Sequence, residues 1–109
     1  EFPKPDRAVV DVVKLRDYCL NPEHPRGRHK ARVFAAALGM ERRHAGELEQ
    51  LILKSLDQAH CEEGERDRYG LRMFASFEIQ FHGRAAMLHT AWIIRNTEDF
   101  ARLTTCYLK

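Results

Sequence analysis

The sequence contains no apolar run approaching the ~18 residues that cross a bilayer as a helix, so no membrane association by a spanning helix is expected. It contains no GxxxxGKS, GxxxxGKT or GxGxxG loop to cradle a nucleotide, and no GxSxG elbow for a serine nucleophile. No CxxC, HxxxH or HExxH spacing occurs, so neither a metal nor another cofactor is expected. Cysteine is scarce: Cys19, Cys61 and Cys106 are odd in number and unpaired in spacing, which argues against a disulfide framework and for reduced thiols. That points to a cytoplasmic protein, or to one delivered to a target-cell cytoplasm as part of a larger protein. Six glycines and four prolines are too few for a collagen-like or low-complexity chain. Neither sign of charge dominates, with 18 Lys and Arg against 16 Asp and Glu, so net charge alone names no nucleic-acid partner.

What is present is ordinary globular material. With 44% hydrophobic and 31% charged residues, 109 residues build one core and not two. We read one domain over 1–109, with a lead-in over 1–8, a helical part over 9–60 and a sheet part over 69–108. Residues 1–8 carry two prolines and read as extended; Glu1 and Phe2 are assigned no role. Val12, Leu15 and Cys19 recur at helical spacing behind Asp11, a candidate cap, and Asn21-Pro22 ends this short helix. A second helix is expected over 28–38, stopped by Gly39, and a third over about 42–60. Residues 61–68 are nearly all charged and read as a connection. From Leu71 the apolar period changes from 3.6 to 2, giving strands over 71–81, 84–95 and 102–108, joined at His82-Gly83 and Asn96–Asp99. The fold class is therefore α+β: two to three N-terminal helices packed on a three- to four-stranded antiparallel meander sheet.

The densest chemistry is the acid-free block His24-Pro-Arg26-Gly27-Arg28-His29-Lys30. Gly27 lets backbone approach a ligand closely. The helix that follows offers unpaired N–H groups, which favour phosphate. Arg26, Arg28, His29 and Lys30 stand where a helix normally prefers acids, an arrangement that a bound anion relieves; the bland alternative is a solvated basic loop. His89 and Thr90 interrupt the most apolar strand, so each needs a hydrogen-bond partner or a cleft. Trp92 shares Thr90's face and reads either as a base-stacking surface or as core. Arg95 and Arg102 flank one turn, and the Thr104 hydroxyl could hold a phosphate oxygen.

The run Lys14-Leu15-Arg16-Asp17-Tyr18-Cys19-Leu20-Asn21, followed by His24-Pro25, Gly27 and Lys30-Ala31, resembles a KLxxYxLNxxHPxGxxKA signature of a family of small, uncharacterised bacterial domains. Members end in a TxW strand and an RLxTxY strand, matched here by Thr90-Ala91-Trp92 and by Arg102 to Tyr107. The resemblance runs from about Val9 to Tyr107. Some members are labelled adhesin-like because they also close large secreted proteins. In layout they look like the metal-independent ribonuclease toxins of the barnase, colicin and RelE type. Two positions depart from the pattern: His89 stands where arginine is common, and Ala101 where proline is.

Two functions follow. The first is a ribonuclease-like toxin domain acting on RNA phosphodiesters. His24, Lys30, His89 and Thr90 would be its catalytic groups, and Arg26, Arg28, His29, Arg95, Arg102 and Thr104 would bind phosphate or RNA. His24 would be base or acid, Lys30 the phosphate cation, and His89 with Thr90 a second proton-transfer group or a hydrogen bond to phosphate. Its partners would be RNA and a cognate immunity or antitoxin protein. The second is a non-catalytic interaction module, in which His24 caps or bridges its loop, Lys30 pairs with an acid of the third helix, and a sheet edge takes a partner strand.

Overall fold

Helix-forming and strand-forming segments separate along this chain, so they fold as two layers. The structure is a computed structural model and describes residues 1–108. The helical layer comprises α1 (Val12–Lys14), which runs on as a π-helical turn over Leu15–Cys19, then α2 (Arg28–Leu38) and α3 (Ala45–Ser55). Short 3-10 turns at Arg42–His44 and Leu56–Gln58 flank α3. The sheet comprises β1 (His60–Asp67), β2 (Gly70–Phe81), β3 (Arg84–Arg95) and β4 (Ala101–Leu108), antiparallel in the order β1-β2-β3-β4. No described helix is long and apolar enough to cross a membrane.

Each boundary has a local cause. The Asp11 carboxylate accepts the Val13 N–H at 2.9 Å and caps α1. Gly39, at φ 67°, closes α2 in the left-handed conformation. His82 and Gly83 both have positive φ (49° and 83°), as the tight hairpin joining β2 and β3 requires.

The alternation in β2 sends Met73, Ala75, Phe77, Ile79 and Phe81 to the helices and Arg72, Phe74, Ser76, Glu78 and Gln80 to the other face. Strand register extends that division across the sheet. Trp92, Thr90 and Leu88 of β3 and Leu103, Cys106 and Leu108 of β4 join the core. Leu15, Cys19, Leu20, Phe34, Leu38, Leu48 and Ile52 meet them from the helical layer. Each large side chain so buried contributes about 1.5–3 kcal/mol. Leu103 and Cys106 both face the core although two residues separate them. The strand accommodates this with a bulge at Thr104–Thr105, opposite Ala91 and Trp92.

Three expectations are corrected. Residues 61–68 are not a connection: most of that stretch lies in β1. Its side chains are nearly all exposed, so they carry no alternating pattern, and the strand exists through its backbone pairing with β2. The third helix gives way before residue 60, because His60 already pairs with Ser76. The lead-in is part of the core: Phe2 is buried edge-on against the Trp92 ring at 4.9 Å. Val9 forms a parallel bridge to Arg102, and Lys4 and Arg7 bind Asp99 beyond β3.

Trp92 is core and not a stacking surface. Its indole N–H donates to the Thr90 hydroxyl at 2.7 Å, and that hydroxyl donates to the Ala75 carbonyl at 2.6 Å. Thr90 thus satisfies a polar pair where water does not reach. Replacing it by valine keeps the shape and removes the hydroxyl. Thr90→Val is expected to lower unfolding free energy by about 1–3 kcal/mol, and Thr90→Ser by clearly less. Urea unfolding checks this; equal losses would mean that the methyl group and not the hydroxyl matters.

Candidate functional site

The π-helical turn and the 21–27 loop are folded onto β4, and a cavity of about 590 Å³ opens between them. Lys14, Tyr18, His24, Arg26, Thr104 and Thr105 line it. The turn reaches this position because Leu15 and Cys19, four residues apart, are both wholly buried. The loop follows because Gly27 lies against Tyr18. A Cβ on Gly27 would sit 2.2 Å from the Tyr18 carbonyl oxygen, so only glycine fits. The close approach expected of Gly27 is therefore to this chain's own backbone, not to a ligand.

His24 organises the loop. Its Nδ1 accepts the N–H groups of Arg26 and Gly27, both at 3.0 Å, and its carbonyl accepts the Arg28 N–H at 3.0 Å. Of the helix-start amides expected to await a phosphate, that of Arg28 is thus turned onto His24. With the Nδ1 lone pair engaged, the hydrogen bonds assign the neutral ring its proton on Nε2. The ring is packed edge-on against Tyr18 at 4.7 Å.

Lys30 lies in the first turn of α2 and reaches the edge of the sheet. Its ammonium donates to the Thr105 hydroxyl at 3.3 Å and sits 5.6 Å from the ring centres of both Tyr18 and Tyr107. Among the described residues no carboxylate lies within 4 Å of it, so it is not paired with an acid of α3. The acids that line the cavity are committed elsewhere. Asp11 caps α1, and Asp17 is held by Arg16 and Arg42, both at 2.9 Å.

Tyr107 connects this cleft to the uncovered face of the sheet. Register places His89 beside Tyr107, with ring centres 5.3 Å apart, and opposite Ser76. The His89 Nδ1 lies 2.9 Å from the Ser76 hydroxyl, and its Nε2 is buried with no hydrogen-bond partner among the described residues. One chain of contacts therefore runs His24–Tyr18–Lys30–Tyr107–His89–Ser76.

The other expected residues divide. Arg26 lines the cleft and is exposed. Arg28 donates to the Pro25 carbonyl, and His29 is exposed. Thr104 lines the cleft and donates to the Ala91 carbonyl at 3.0 Å. Arg102 is held by Glu98 through two hydrogen bonds of 2.9 and 2.8 Å, and Arg95 lies on the far part of the open face. Thr90 is not brought to the cleft: it is 2% exposed on the core side, because adjacent strand residues face opposite ways and His89 takes the open side. Sequence reasoning missed Tyr18, Thr105, Tyr107 and Ser76. The first three stand at signature positions that could have marked them; Ser76 is found only through the β2–β3 register.

Cys19 and Cys106 meet beneath the site, wholly buried. Hydrogen bonds with Cys106 favour ionisation of Cys19, aided by Thr105 and the Lys30 cation. The same contact and burial push the Cys106 thiol up. Neither sulfur is open to a ligand. Cys61 stands apart, its thiol raised by burial. Among the described residues, no three His, Cys, Asp or Glu side chains converge as metal ligands. The sheet has two edges, β1 and β4: β1 carries Glu62, Glu63 and Glu65 and a register shift between Glu63 and Arg66, features that discourage strand addition, and β4 is bridged by Val9 at Arg102.

The chain belongs to a family of domains of unknown function, DUF6883, whose model matches residues 1–109. No curated protein and no solved structure matches it.

Asp17 ties the turn beneath the cleft to Arg42. Hydrogen bonds from Arg16 and then Arg42 hold its carboxyl far below the usual carboxylate range. A carboxyl depressed in the folded state contributes stability at neutral pH, and that contribution fades from roughly pH 5 downward, as the unfolded chain takes up the proton first. Asp17→Asn is expected to lower the urea midpoint at pH 7, with the gap to the native chain closing as pH falls toward 3. A gap independent of pH would show that the charge is not what matters.

Proposed function

We propose that this domain binds RNA and cleaves its phosphodiester bonds without a metal ion. The observation that carries the reading is Lys30. Its ammonium, with no carboxylate within 4 Å among the described residues, sits between the Tyr18 and Tyr107 rings beside the Thr105 hydroxyl, and through those rings it joins the cleft-lining His24 to His89. An unpaired cation flanked by aromatic rings and hydroxyls suits a phosphate ester with a base beside it.

The chemistry requires three things: removal of a proton from a 2′-hydroxyl, donation of a proton to the departing 5′-oxygen, and stabilisation of the charge on phosphorus. Attack of the 2′-oxygen forms a P–O bond and breaks the bond to the 5′-oxygen, leaving a 2′,3′-cyclic phosphate and a free 5′-hydroxyl. Lys30 neutralises the non-bridging oxygens, with Arg26 at the cleft mouth. His89 Nε2 takes the proton of the attacking 2′-hydroxyl and then gives it to the departing 5′-oxygen, its ring oriented at Nδ1 by Ser76. The Nε2 nitrogen is buried, so the reading requires a neighbouring side chain to move aside when RNA binds, and the half-exposed Tyr107 ring beside it is the candidate. His24 offers Nε2–H as a hydrogen-bond donor; its Nδ1 is occupied by the loop and takes no part.

The test is cleavage of a fluorescent single-stranded RNA by the purified chain in excess EDTA, with products examined for the cyclic phosphate. Lys30→Ala is expected to lower kcat/KM about 100-fold or more, and His89→Ala by about 10²–10⁴. Ser76→Ala should cost less than either. The reading falls if the native chain does not cleave, or if the Lys30 and His89 variants cleave as the native chain does.

A further inference from the structure

The uncovered face of the sheet has a second basic cleft, remote from Lys30. It is a cavity of about 560 Å³ at the end of the sheet where β1 turns into β2 and β3 ends, with Arg68, Arg72 and Arg95 around it, Tyr69 at one wall and Ile93 within it. We propose that this cleft is a phosphate subsite for single-stranded RNA lying along the open sheet face, with Phe74 as the stacking surface between it and the cleavage site; the proposal rests on the RNA reading above.

Three observations support it. The first is charge. Arg68 donates only to the Tyr69 hydroxyl, at 2.8 Å, and lies over that ring; no carboxylate is within 4 Å of it among the described residues. Among the described residues Arg72 pairs only with Asp67, at 3.4 Å, and that carboxylate also accepts the N–H groups of Tyr69 and Gly70, at 2.8 and 3.2 Å. Arg95 approaches Glu98 only to 3.9 Å, because Glu98 is already held by Arg102. The three cations are therefore weakly compensated, as an anion subsite needs.

The second is the surface that joins the two clefts. Arg72, Phe74 and Ser76 follow one another on the same face of β2, opposite Ile93, Ala91 and His89 of β3. Phe74 is 49% exposed; its cross-strand neighbours are Ala91 on β3 and, on β1, Glu62, whose carboxylate lies 3.3 Å from His60. A large aromatic ring left in water between a basic cleft and a His–Tyr pair is the composition on which unpaired bases stack. A duplex keeps its base faces covered and cannot use it.

The third is length. Arg72 and Ser76 are four residues apart on one strand, about 13 Å. That is a span for a few nucleotides of extended chain and not for a single phosphate. The proposal thus names the substrate as single-stranded RNA long enough to reach from Lys30 to Arg72.

The experiment compares two substrates, a dinucleoside monophosphate and an eight-nucleotide single-stranded RNA, and adds anisotropy on the 2′-O-methyl form of the octamer, which lacks the attacking hydroxyl. For the Arg68→Gln/Arg72→Gln double variant we expect octamer affinity to fall at least fivefold. The slope of log K against log salt should fall by about 1.4, two single-strand contacts. Phe74→Ala should weaken the octamer about fivefold or more. For both variants the loss in kcat/KM on the octamer should exceed that on the dinucleotide at least fivefold. Equal losses on the two substrates, unchanged octamer binding, or tighter binding of a duplex of the same length would each overturn the subsite. If the native chain still cleaves the dinucleotide through Lys30 in that case, only this inference fails. If the native chain binds and cleaves neither substrate, both readings fail.

Discussion

Helices cover one face of this sheet and leave the other bare, and the rest of the molecule depends on that asymmetry. The alternation of β2 puts Met73, Phe77 and Ile79 against the helices and Arg72, Phe74 and Ser76 in solvent. Pairing then obliges β3 and β4 to divide in the same way. Stability is concentrated on the covered side, where Trp92, Phe34, Leu15 and Leu48 meet. Polar and aromatic side chains can gather on the other side without cost to the core.

The two faces communicate at β4. Two residues, Thr104 and Thr105, stand between core-facing Leu103 and Cys106, where a regular strand has one. The bulge that absorbs the extra residue leaves Thr105 where Lys30 can reach its hydroxyl around the strand's edge. Lys30 comes from the helical layer and Tyr107 from the open face, and they meet there. Without the bulge, the covered layer and the open face would be separated by the full thickness of the sheet.

Much of the layout could be read from local pattern: the short first helix with its Asp11 cap, α2 to the residue, the β2–β3 hairpin and the α+β order. The misses share a cause. β1 went unseen because an exposed edge strand buries almost no side chains, and Phe2 because a residue at a chain end has no periodicity to belong to. The site was legible in outline. His24, Arg26 and Thr104 do gather at one cleft; Lys30 touches its lining residues Tyr18 and Thr105, and His89 is joined to Lys30 through Tyr107. Thr90 and Trp92 were polar and aromatic residues that the core had already satisfied with one another.

The sequence by itself determined which residues would face each way along a strand or helix, where a basic loop would start α2, and that helices would precede a meander. These follow from spacing within a few residues, where covalent geometry leaves little choice. Only the tertiary structure decided which cation kept no acid nearby and which histidine faced a cleft. It decided as well that Arg102 would be neutralised while Arg68 met no carboxylate among the described residues. Those outcomes depend on strand register and on what lies within 4 Å across the fold, and a charge in the sequence has no partner until the chain has brought one to it.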